Sequence, residues 1–162
     1  MVGLVVCGGA VHVALASAPT RIVSTAGVTL RVPTGWHAVA ARTPTCDPER
    51  LIVASSAPIH TNRTGQLTSP PTGQVLILLL EDRYRQDRPV GDPHRPARFV
   101  VAWSRLVHVK PICGLPNSPV YTRYFKTHAR YIGFILYPAG RINAKVRADT
   151  LAIMDSLRVT AR

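Results

Sequence analysis

Three cysteines, Cys7, Cys46 and Cys113, are the side chains in this sequence best suited to covalent chemistry. Cys7 lies inside residues 2–18, VGLVVCGGAVHVALASA, a run without Asp, Glu, Lys or Arg. That run is shorter than the ~20 residues a membrane span needs. Its end, Ala14-Leu15-Ala16 or Ala16-Ser17-Ala18, has the small-x-small form of a signal-peptidase site, and Pro19 favours the earlier cut. A signal peptide normally opens with Lys or Arg, and none stands between Met1 and the apolar run, so a buried first element of a cytoplasmic domain is the competing reading. Residues 1–18 are accordingly read as a signal peptide or apolar anchor, and the protein as secreted or extracytoplasmic. Lipidation at Cys7 would make it a lipid-anchored protein, but Val6 stands where a lipobox carries a small residue. With the leader removed two thiols remain, and an even count in an exported protein predicts one disulfide, Cys46–Cys113. The chain-entropy model gives a loop of that length roughly 4 kcal/mol of stabilisation. Zinc needs three or four ligands at close spacing, and no Cys-x-x-Cys or His-x-x-x-His pair occurs.

Acid–base chemistry has few candidates among 8 carboxylates. Glu81 and Asp82 follow an apolar run, but neighbours on an extended chain point to opposite faces. They are expected to form a solvated strand end, salt-bridged to nearby arginines. His12, His37, His60, His94, His108 and His128 have no histidine partner at helical or strand spacing. No G-x-S-x-G elbow, Ser-x-x-Lys pair or glycine-rich phosphate loop is present. No catalytic residue, metal site or cofactor is therefore assigned. An envelope hydrolase with a non-standard site remains the alternative, to be recognised by a cleft holding a carboxylate and a histidine, such as Glu81 near His108 or His37. A structural or inhibitor-like domain is a further alternative, to be recognised by an exposed apolar patch.

A net charge of +12 directs the search toward anionic envelope polymer, anionic lipid or another envelope protein. Nucleic acid is disfavoured, because no basic block carries interleaved stacking aromatics. The most polar stretch, 81–98, offers Arg83, Arg85, Arg88, Arg95 and Arg98 as candidate ligands for such a partner. The basic residues are scattered from Arg21 to Arg162 without a block of five or more, so a generally arginine-rich composition is the competing reading.

These groups must be held by a single domain. GVTLRV at 27–32 alternates as a first strand, with Thr29 and Arg31 opposite Val28, Leu30 and Val32. PTGW closes it, placing Trp36 at the core edge. LIVASS at 51–56 reads as a strand, 57–73 as a loop holding the sequon Asn62-Arg63-Thr64, and QVLILLLE at 74–81 as a central strand buried on both faces. FVVAWSRLV at 99–107 reads as a further, imperfect strand. VYTRYFKT and RYIGFILYP flank His128-Ala129 as a hairpin whose aromatics pack the sheet. Asn143 caps a helix from Ala144 whose stripe is Val146, Leu151, Met154 and Leu157, with Ala148 and Ile153 at its margins. The fold class is α+β: a mainly antiparallel sheet of about five to seven strands, a C-terminal helix on one face, and one domain over 27–160.

LRVPTGW, the Cys46 and Cys113 loops and the ending IMDSLRV resemble small exported actinobacterial two-cysteine proteins of uncharacterised function. The order of elements is similar to a Mog1/PsbP-like α/β sandwich. The resemblance implies that fold and a cell-envelope address, and carries over no catalytic residue. Together these features predict a non-catalytic binding domain with a basic surface and one disulfide.

Overall fold

The computed structural model describes residues 19–43, 49–82, 94–108 and 118–161. Its elements are β1 (Thr20–Thr25), β2 (Val28–Pro33), β3 (His37–Thr43), β4 (Glu49–Ser55), β5 (Val75–Glu81), β6 (Val107–His108), β7 (Pro119–Thr127), β8 (Arg130–Pro138), α1 (Ala144–Asp155) and β9 (Arg158–Val159). Among the described residues the strand pairings are antiparallel. Six strands form one sheet in the order β3-β4-β5-β8-β7-β6, and β1-β2-β9 form a second. The class is thus α+β with predominantly antiparallel sheets and a C-terminal helix.

β5 explains the layering. VLILLLE has no polar side chain before Glu81, so neither face tolerates water, and all seven residues are buried. Val75, Ile77 and Leu79 enter the main core with Leu51, Phe125, Ile132, Phe134 and Leu136. β2 and α1 cover that face through Val28, Leu30, Val32, Val146, Ile153 and Met154. Leu76, Leu78 and Leu80 enter a second core with Val53, Val120, Ile135 and Tyr137. Leu67 and Ile59, from the loop after β4, pack against it. Each fully buried Leu, Ile or Phe stabilises by roughly 1.5–3 kcal/mol, so this two-sided strand anchors both layers.

Both hairpin turns need backbone in the left-handed region. Ala26 (φ 47°) and Gly27 (φ 74°) join β1 to β2, and His128 (φ 49°) and Ala129 (φ 58°) join β7 to β8. Two positive φ values fit the type I′ turn, whose twist matches that of the flanking strands. Gly27 has a second reason to lack a side chain. A Cβ there would meet Thr160 Oγ1 and lie 3.1 Å from Arg130 Nη1.

The helix starts as expected: Asn143 Oδ1 accepts from Val146 N at 2.9 Å. Its buried stripe runs through Val146, Thr150, Ile153 and Met154 and on to Leu157. Thr150 therefore occupies the centre, its hydroxyl satisfied by donation to Val146 O at 2.7 Å. Ile153 is central rather than marginal, Leu151 is half-buried and Ala148 is exposed.

Three other expectations change. β1 precedes 27–32, which therefore holds the second strand. Residues 99–106 form no strand, because Phe99 leaves the sheet to pack against Phe125 and Phe134, with ring centroids 5.6 and 5.3 Å away. The segment after the helix does not merely peel away: Arg158–Val159 pairs with β2. Counting these short elements gives nine strands among the described residues, in two sheets.

Candidate functional site

Ser156 builds a junction between the helix end and β2. Its backbone N–H donates to Ala152 O at 3.0 Å, ending the helix. Its hydroxyl donates to Ile153 O at 2.6 Å and accepts from Arg31 N at 2.9 Å. This hydroxyl leads the chain from α1 into β9, where Arg158 lies opposite Thr29. Thr29, Arg31 and Arg158 then share the outer face of the small sheet, with Arg31 and Arg158 as diagonal cross-strand neighbours.

The segment from 94 approaches this junction from the other side. Arg95 Nη2 donates to Asp155 O at 2.8 Å, and Phe99 N donates to Asp155 Oδ1 at 2.7 Å. The Arg95 guanidinium also stands 6.0 Å from the Phe99 ring centroid, at the outer limit of a cation–π contact. Phe99 is the anchor: its burial holds the segment, and Asp155 sets its height on the helix end.

The result is a cleft of about 370 Å³ lined by Arg31, Arg95, Asp155, Ser156, Leu157 and Arg158. Three arginines and one aspartate are among the residues that line it. The C-terminal end of α1 adds about half a negative charge. The residual charge is about one and a half positive units by that count. The cleft suits a small anion better than a cation or an apolar ligand.

A second group of charges is of another kind. Glu81 and Arg130, both about 95% buried, form a two-pronged pair: Arg130 Nε to Oε1 at 2.9 Å and Nη2 to Oε2 at 2.8 Å. Arg130 Nη1 reaches Thr160 O at 3.5 Å. Glu81 is thus ion-paired as expected, but inside the core and with a partner on β8. Asp82 is also buried, and its N–H donates to Tyr131 O at 2.9 Å.

Glu81 is brought beside neither His37 nor His108. His37 pairs with Ser55, and Ser55 with Leu76, at the far end of β5 from Glu81. His108 pairs with Pro119 on the opposite edge of the sheet. Glu81 is committed to Arg130 between them. Among the described residues no three His, Cys, Asp or Glu side chains converge, and no helix is long and apolar enough to cross a membrane.

On the opposite sheet face, burial pushes the Tyr137 hydroxyl well above its ordinary value of 10.0; Tyr124 adds to the rise and Arg50 opposes it. Burial pulls the Arg50 guanidinium below its usual range, against the influence of Tyr137. Tyr124 and Tyr131 stack at 5.9 Å with an interplanar angle of 12°. The Tyr124 ring lies over Gly133, where a Cβ would collide with it. These contacts fit the expected role of the hairpin aromatics in packing the sheet.

Of the residues assigned from sequence to an anionic partner, Arg95 lines the cleft. Arg98 is exposed on the same segment without lining it. Arg83, Arg85 and Arg88 lie outside the described residues, as do Cys7, Cys46 and Cys113. Arg31 and Arg158 also line the cleft and were not among the residues assigned from sequence. Strand alternation already put Arg31 on the outer face, but nothing local to Arg158 announces that β9 will join β2. No protein-family model, curated protein or solved structure matches this chain.

Proposed function

We propose that this protein is a non-catalytic binding domain of the cell envelope that holds an anionic partner at the Arg31–Arg95–Arg158 cleft. The observation that carries this reading is the excess of three arginines over one carboxylate in a single cleft. The buried Arg130 is matched by Glu81; the excess in the cleft leaves positive charge for something outside the chain. The basic balance of the whole protein would raise the encounter rate with such a partner. The envelope address rests on the apolar run 2–18 and the two downstream thiols, and a Cys46–Cys113 disulfide belongs to the same proposal.

Binding to anionic vesicles and to wall preparations tests the reading. Arg31→Gln with Arg158→Gln should weaken it at least tenfold, and raised salt should weaken it further by screening. Unchanged binding in this double variant, with loss on neutralising Arg83, Arg85 and Arg88, would move the site out of the cleft. Mass measurement of the mature protein with and without reductant reports leader cleavage and the disulfide. An uncleaved leader with free thiols would sink the envelope address.

A further inference from the structure

We infer that the group this cleft selects is a phosphate monoester; the inference rests on the anion-binding reading above. The first argument is the number and origin of the donors. Arg31 comes from β2, Arg158 from β9 and Arg95 from the segment before Phe99. A carboxylate has two oxygens in one plane, which take one guanidinium fork edge-on and offer no third oxygen to arginines from other directions. Three arginines carried on three chain segments suit a tetrahedral group with three terminal oxygens. A phosphodiester has only two such oxygens, so a monoester uses the donors more fully.

Charge supplies the second argument. A phosphate monoester carries about −1.5 to −2 at neutral pH, because its second ionisation falls near pH 6. The cleft's residual charge, about one and a half positive units once Asp155 and the helix end are counted, is of matching size. A singly charged diester or carboxylate would leave part of it uncompensated.

Asp155 sets the third constraint. Its Oδ1 accepts from Phe99 N and its carbonyl from Arg95 Nη2, which fixes this carboxylate among the lining residues of the cleft. It repels an anion large enough to spread beyond the three arginines, which argues for a terminal phosphate over a polyanionic backbone. Ile22, directly opposite Arg31 on β1 and 65% exposed, leaves an apolar neighbour for whatever the phosphate is esterified to.

The ligands to be titrated are phenyl phosphate, dimethyl phosphate and acetate, at constant ionic strength, with guanidinium Nε–H resonances of the arginines as the readout. Phenyl phosphate should shift the resonances of Arg31, Arg95 and Arg158 and bind about tenfold more tightly than either competitor. Its affinity should rise severalfold from pH 5 to pH 7.5, as the second proton leaves. Arg31→Gln and Arg158→Gln should each lower it about tenfold. Equal binding of all three anions at the cleft would overturn the monoester and leave the anion-binding reading standing. No shift at the three arginines with any anion would overturn both. Vesicles containing phosphatidic acid, compared with phosphatidylglycerol, separate the sources. Preference for phosphatidic acid that is lost in Arg158→Gln identifies a lipid monoester. Phenyl phosphate binding without vesicle binding identifies a soluble or polymer-borne one.

Discussion

Two arginine sites in this protein use the same side chain in opposite ways. Arg130 is buried between the sheets, its fork closed on Glu81 and its remaining edge turned to Thr160. Arg31, Arg95 and Arg158 stand in an open cleft with one carboxylate among them. Burial explains the difference. A guanidinium taken out of water requires a matched counter-charge, because the desolvation penalty is several kcal/mol per ion. At the surface, water supports an unmatched charge, and the excess needs no counter-charge within the chain. Arginine content alone therefore says little about function here; the ratio of guanidiniums to carboxylates in each place says more.

The contrast is most exposed at Glu81. Glu81→Gln should destabilise the fold by about 3–5 kcal/mol in urea unfolding, because Arg130 stays buried without its counter-charge. A loss under about 1 kcal/mol would mean that the buried site tolerates an unmatched charge and the distinction fails. Removing both partners sharpens the point. Glu81→Leu combined with Arg130→Met should recover at least about 2 kcal/mol of that loss, since an apolar pair of similar size needs no compensation.

A smaller effect tests burial away from either arginine site. Folded Tyr137 keeps its proton to higher pH than the unfolded chain does, through burial first and Tyr124 second. Its contribution is whole below pH 10 and is lost as pH climbs from 10 toward the raised folded value. Stability should therefore fall above pH 10 in wild type and fall less steeply in Tyr137→Phe, as followed by unfolding at graded pH. Identical slopes would show that the hydroxyl titrates alike in both states.

The smallest expected effect on stability belongs to the open site. Arg31→Gln and Arg158→Gln should each change it by no more than about 0.5 kcal/mol, since both side chains are exposed. A loss several times larger would make these arginines structural, like Arg130, and would remove the basis for assigning them a ligand.

The elements with local causes were legible in the residues themselves. QVLILLLE could only be a strand buried on both faces, Asn143 capped the helix it was expected to cap, and His128-Ala129 turned the hairpin. The helix stripe was legible in outline but misplaced. Thr150 reads as polar until its hydroxyl is seen bonded to Val146 O. Phe99 reads as part of a strand until the aromatic side of the main core is seen to take it.

Sequence by itself determined the apolar runs, the cap and the turn of the second hairpin, because each depends on neighbours within a few residues. It also determined the surplus of positive charge. Tertiary structure alone decided where that charge is neutralised and where it is left over. Glu81 and Arg130 meet across β5 and β8, while Arg31, Arg95 and Arg158 meet because β9 docks on β2 and Phe99 pins its segment beside the helix end. Such meetings depend on how elements distant in the chain pack and pair, and no local pattern encodes them.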